Sequence, residues 1–296
     1  MAVTIMLGLL GLIALVFAVV FFMDIAKHKD EAATGVGGAH SPLWISALIG
    51  FVTNFFDTLG IGSFAPTTAA FKATKVVDDG IFPGTLNVGH TLPVVFMSFL
   101  YITTVAVDFV TLVALIAASV VGAWFGAGIV AKFNRARIQL IMGIALIIVA
   151  GVMGLRNAGI IAGWGAGNVA IGLYGGLLIA GIIIHVILGA LMTAGVGLYA
   201  PSMAAVYLLG LSPAVAFPVM MGACAFLMPV ASIKFVQAGT YARKQSLAIG
   251  LAGLPGVFLA FQFFRGMWDL GMLIWMVIVV ITITGIFMIR ASLRGD

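Results

Sequence analysis

Long apolar runs alternate with short polar connections along this chain. The runs cover 3–23, 43–71, 81–105, 109–131, 138–155, 169–211, 213–236, 245–264 and 271–289. A helix that crosses a membrane needs about 20 mostly apolar residues. Two runs, 43–71 and 169–211, are longer than one crossing needs, and Gly and Pro interrupt both. The pattern predicts an all-α, polytopic helical membrane protein with about nine apolar segments. The first run has no basic residue ahead of it, while Lys27 and Lys29 follow it. A cleaved signal peptide carries a basic leading region. Residues 1–42 are therefore expected to be an extra N-terminal transmembrane helix, N-terminus outside, with a polar linker at 24–42.

The two long runs share a motif. Residues 58–70 are TLGIGSFAPTTAA and residues 193–205 are TAGVGLYAPSMAA. Thr58, Gly60, Gly62, Ala65, Pro66, Ala69 and Ala70 each recur as the same residue 135 positions on, Phe64 recurs as Tyr199 and Thr67 as Ser202. Phe82–Pro83 recurs as Phe217–Pro218 at the same offset. The expectation is two transmembrane repeats, 43–155 and 169–290, each with one broken segment and three ordinary spans. Paired repeats with matching Gly/Pro interruptions are the pattern of secondary transporters, and the interruptions point to the binding site.

Charge bears on class and orientation. Hydrophobic residues are 63% of the 296 and charged residues 8%, against about 25% charged in a soluble domain. That excludes soluble enzymes and nucleic-acid-binding proteins. The net charge of +5 then reflects the bias of Lys and Arg toward cytoplasmic loops. Basic loops fall at Lys27/Lys29, Lys72/Lys75, Lys132/Arg135/Arg137, Lys234/Arg243/Lys244 and Arg290/Arg294. If every run crossed once, these loops would lie on both sides. If each broken segment enters and returns on one side, all five share a side. An inverted repeat with two re-entrant or broken elements is therefore expected, with Arg156 and Arg265 outside. The lone Cys224 excludes an intrachain disulfide. The four scattered histidines form no metal or cofactor motif, so no metal, no cofactor and no enzyme activity are expected.

The motif has a physical reading. Gly60 and Gly62, and their counterparts Gly195 and Gly197, allow backbone conformations closed to other residues. Pro66 and Pro201 suit a first helical turn, where a missing N–H costs nothing. Ser63 sits just ahead and can cap. Each motif is thus a break followed by a fresh helix N-terminus, which carries free N–H donors and partial positive charge and suits an anion. Thr58, Ser63, Thr67, Thr193, Tyr199 and Ser202 add hydroxyls. The plain alternative is that Gly and Pro merely kink packed helices; recurrence in both halves favours a binding role. Asn54, Asp57, Asn87, His90 and His185 lie inside apolar runs, where an ionisable group is a functional candidate. Asp57 is a candidate for a coupling proton or a cation, and the two histidines for a proton relay. Small residues such as Gly122-x-x-x-Gly126 permit close helix packing.

These features resemble the sulfite exporter TauE/SafE family of membrane permeases. The carriers of the likeness are the glycine-rich break with its following Pro, and VDFVTLVALIAASVVGAWFGAGIVAKFNRARIQLIMGIALIIVAG at 107–151. That stretch is similar to the family's order of Asp, Gly-x-x-x-Gly, basic loop and apolar span. Ser63–Phe64 and Leu198–Tyr199 stand where the family is usually richer in glycine. The resemblance covers most of 43–290 and implies export, or less often uptake, of sulfite, an organosulfonate or a related small anion.

The expected function is a secondary transporter of such an anion by alternating access, held between the two breaks in the inner cell membrane. The partners are the anion, the lipid bilayer and a second copy of the chain, with no nucleic acid. An anion channel on the same site and a carrier of another small anion, such as a carboxylate, stay open as alternatives.

Overall fold

The computed structural model describes residues 2–36, 40–130, 134–160, 168–193, 197–265 and 270–294. Among these the secondary structure is helical, apart from isolated bridges pairing Thr34 with His40 and Ala170 with Leu211. The helices are α1 (Ala2–Lys27), α2 (Leu43–Thr58), α3 (Phe64–Thr74), α4 (Phe82–Thr104), α5 (Phe109–Val130) and α6 (Arg135–Asn157), then α7 (Gly175–Thr193), α8 (Tyr199–Leu208), α9 (Ala216–Ala238), α10 (Arg243–Arg265) and α11 (Leu270–Arg294). Counting the described residues alone, seven helices, α1, α4, α6, α7, α9, α10 and α11, are long and apolar enough to cross a membrane. The protein is a helical membrane protein.

From α2 onward the order is helix, short helix, 3₁₀ turn and three long helices, and then the same order again. Starts in the second set lie 132 to 135 residues beyond those of the first. Each long broken run is divided as its Gly and Pro foretell: 43–71 becomes α2 and α3, and 169–211 contains α7 and α8.

Packing divides the chain into two compact units. The first holds Met1–Leu100 with Cys224–Phe263, and the second holds Tyr101–Ala223 with Phe264–Asp296. Each unit therefore draws on both halves of the sequence. In the first, α10 packs on α2: a Cβ on Gly50 would meet the Ile249 backbone, and one on Gly256 would meet the Phe51 carbonyl. In the second, α5 packs on α7, where Gly122 lies against the Val186 carbonyl and Gly189 against that of Ser119. The equivalent helix of the other half supplies the partner in each case. Missing side chains let the backbones approach, which is how helices associate where the surrounding lipid is as apolar as they are.

α1 belongs to the first unit. Met6, Leu10, Phe17 and Phe21 are buried along one stripe, while Ile5, Leu9, Leu12, Val16 and Val19 are exposed. Phe17 and Phe21 stack at 5.6 Å between ring centroids and reach Tyr241. The helix runs past the end of its apolar stretch to Lys27. Asp24 holds that last turn in place. It accepts from the Tyr241 hydroxyl at 2.6 Å and from Arg243 Nε at 2.7 Å, and Arg243 also bonds Glu31 at 2.8 Å. Burial, and then the hydrogen bond to Asp24, push the Tyr241 phenol above its ordinary 10.0.

Two predictions follow from this packing. Gly122→Ala and Gly189→Ala each place a methyl group against backbone and lower stability by about 1–3 kcal/mol. Gly151→Ala, with open space around it, does not; thermal unfolding in detergent compares them. For Tyr241 the raised pKa means that stability is fully present below the unfolded phenol's pKa and falls as pH rises above about 10. Tyr241→Phe costs about 1.5–3 kcal/mol at neutral pH and makes the alkaline fall shallower, which unfolding measured across pH 8–12 (about the phenol's range) tests.

Candidate functional site

The first break separates α2 from α3. α2 ends in a Schellman turn: Gly60 N–H donates to Asp57 O at 2.8 Å and Ile61 N–H to Phe56 O at 3.2 Å. That turn needs a left-handed residue just past the helix, and Gly60 takes φ 96°. Gly62 follows at φ 90°, so the chain reverses its local hand twice before α3 begins. Pro66 stands in the first turn of α3, where no intrahelical donor is missed.

Ser63 occupies the N-cap position of α3 but makes no side-chain cap bond to that helix. Here the structure departs from the expected capping role. Its hydroxyl and its backbone N–H both donate to the carboxylate of Asp57, six residues back across the break. A carboxylate is a strong acceptor and fixes the direction in which the hydroxyl proton points. Asp57 is 1% exposed, and its Oδ2 has no hydrogen-bond partner. The N-terminus of α3, where a guest anion was expected, thus already holds a carboxylate of the protein.

Behind α3 lies a buried polar chain. Asn54 Nδ2 donates to Gly50 O at 2.7 Å, which turns its Oδ1 toward His90 Nδ1 at 3.0 Å. An amide oxygen only accepts, so Nδ1 of the neutral ring carries the proton and Nε2 accepts. The Thr67 hydroxyl donates to that Nε2 at 3.0 Å. Asn54, His90 and Thr67 are all fully buried. Thr58 donates to Asn54 O at 2.7 Å.

The second break repeats the pattern from a different source. Ser202, the counterpart of Thr67, sits in the first turn of α8 beside Pro201 and the buried Tyr199. His185 Nδ1 faces Gly181 O at 2.9 Å and so donates, leaving Nε2 to accept from Ser202 Oγ at 3.1 Å. His90 is on α4, whereas His185 is on α7, the counterpart of α2. The two histidines stand at different places in the recurring order of elements, yet each holds one of two hydroxyls found 135 positions apart. Thr67 and Ser202 therefore commit their protons to imidazoles and present lone pairs elsewhere. Met192 stands where Asp57 stands in the first half, so that position offers α8 no carboxylate. Gly197 keeps a φ outside the left-handed region. Gly195 and the side chain of Thr193 lie outside the described residues.

Asn87 does not join the site. Its Nδ2 turns back to Pro83 O at 2.9 Å on its own helix. Thr91, one turn further on, bonds Ser232 at 2.8 Å. Ser232, Gly181 and Gly253, whose missing side chain makes room for the Asn54 amide, carry no signal in one sequence beyond being small. Asp108, part of the stretch that resembles the permease family, caps α5 by accepting from Thr111 N–H and Oγ1, each at 2.9 Å. Among the described residues no cluster of His, Cys, Asp and Glu is close enough to hold a metal ion.

The fold and these breaks define a class: a helical membrane protein with two broken-helix elements, each backed by a buried histidine. Comparison with known proteins finds no matching family model, no matching curated protein and no matching solved structure.

The His–hydroxyl pairs are testable as pairs. Thr67→Val leaves His90 Nε2 without a donor and costs about 1–3 kcal/mol. Combined with His90→Leu the costs are less than additive, with a coupling of at least about 0.5 kcal/mol. The same holds for Ser202→Ala with His185→Leu. Unfolding of the single and double variants in detergent gives the cycle, and strict additivity breaks the assignment.

Proposed function

We propose that the chain is a secondary transporter of a small sulfur-containing anion, such as sulfite or an organosulfonate, in the inner cell membrane. The observation that carries this reading is the recurrence of one device. Twice, at equivalent positions, a helix breaks and restarts, and the restarting turn bears Pro and a buried hydroxyl fixed by a neutral histidine. A helix start leaves N–H groups without intrahelical partners, and inside hydrocarbon such groups need an anionic or polar guest. The resemblance to the TauE/SafE permeases supplies the anion class.

Two inverted repeats agree with the gathering of basic loops on one side, and alternating access follows from two such halves. The histidines position the hydroxyls, and the hydroxyls orient the first turns. The backbone donors of such a turn hold an anion. No nucleotide-binding motif accompanies them, so gradients of the anion and of ions drive the movement.

Purified protein in liposomes loaded with sulfite tests the reading through exchange with labelled external sulfite. Sulfate, chloride, acetate and a small sulfonate serve as competitors. The expected result is saturable exchange, competed by the sulfonate. Ser202→Ala, which removes the bond by which His185 holds the first turn of α8, weakens it about tenfold, matching a net worth of about 1.4 kcal/mol for that one hydrogen bond. Large unitary currents without counterflow point instead to a channel. Absence of exchange with every anion, in folded protein, sinks the sulfur-anion assignment.

A further inference from the structure

We propose that Asp57 is the coupling proton site of this transporter: its carboxylate occupies the N-terminus of α3 when no anion is present, and an incoming anion takes that place as Asp57 takes up a proton. The inference rests on the transport reading above and adds to it the identity of the coupled ion.

Three observations carry it. The carboxylate is bound where an anion binds, at the start of an eleven-residue helix, by the hydroxyl and the backbone N–H of Ser63. It is 1% exposed, yet Oδ2 has no partner. A charged, half-satisfied carboxylate in this setting is costly, and a proton on Oδ2 removes the charge. No ionised side chain is among the groups acting on it. Of the elements packed on α2, α4 brings His90, engaged with Asn54 and Thr67. α10 meets α2 through Ile249, Gly253 and Gly256, none of them titratable. α3 carries Lys72 in its last turn, away from the break. A metal cation is a poorer guest than a proton, because it needs several oxygen ligands. Here the Asn54 amide oxygen already accepts from His90, and the Thr58 hydroxyl is donated to Asn54.

The consequence is linkage. Two negative charges cannot share one helix start, so anion binding and protonation of Asp57 favour each other. With one proton carried per monovalent anion, movement is electroneutral, and the pH gradient rather than the membrane potential sets its direction. The second half, with Met192 at the equivalent position, has no second proton site of this kind.

The test uses the full chain and methanesulfonate, an anion that does not itself titrate. In wild type its apparent affinity falls about tenfold per pH unit above the titration of Asp57, the slope required by one linked proton. In Asp57→Asn the affinity does not vary with pH. A slope retained in Asp57→Asn, or a flat wild type, overturns the proposal. Infrared difference spectra of wild type with and without methanesulfonate supply a second measurement that is independent of how the variant folds. A protonated-carboxyl band that grows with the anion supports the proposal, and no such band overturns it. If the wild type neither binds nor exchanges any anion, the transport reading fails with the linkage. A carboxyl band that appears with falling pH and is missing in Asp57→Asn then still identifies Asp57 as a proton site.

Discussion

A backbone that breaks inside a packed protein frees N–H and C=O groups, and each one that is buried must find a partner. That constraint organises the first break. α2 closes with a Schellman turn, so its last carbonyls are met by Gly60 and Ile61. α3 opens on a carboxylate from the helix that has just ended. Gly60 and Gly62 are required because the reversal needs left-handed backbone, and Pro66 is tolerated because its missing donor falls in the first turn.

The same constraint explains the histidines. A hydroxyl in the first turn of a buried helix is useful only if its direction is fixed. In both halves a neutral imidazole fixes it, and in both the imidazole is itself oriented by an acceptor on its other nitrogen: Asn54 for His90, and the Gly181 carbonyl for His185. The halves reach this arrangement from non-equivalent positions, α4 in one and α7 in the other. The asymmetry is sharpest at the helix starts. α3 is closed by Asp57, while the equivalent position before α8 is a methionine. Among the described residues, one half of the sequence thus supplies a carboxylate at this position and the other a methionine.

Glycine does a second, separate task in the packing. α2 meets α10 and α7 meets α5 at points where no Cβ fits. Each broken helix is thereby backed by a continuous helix of the other sequence half. A break held against an unbroken neighbour keeps its position, which a fixed set of donors requires.

Local information accounts for much of this fold. Hydropathy and run length alone mark the apolar segments. The Gly-x-Gly…Pro order alone marks both breaks, and at the first of them a left-handed turn and a helix start select the residue types. The 135-residue offset foretells the recurring order of elements. What tertiary structure decided is who serves whom at the breaks. Ser63, placed by sequence as a cap, donates its proton to Asp57 six residues back, and its oxygen accepts from no N–H group of α3. Thr67 and Ser202 look like donors for a guest, but their protons go to His90 and His185, which approach from other helices. Asn87 looks equivalent to Asn54 in character, yet it faces its own helix. Hydrogen-bond direction in a membrane interior depends on which acceptors the packing brings near, and a single chain of letters does not contain that information.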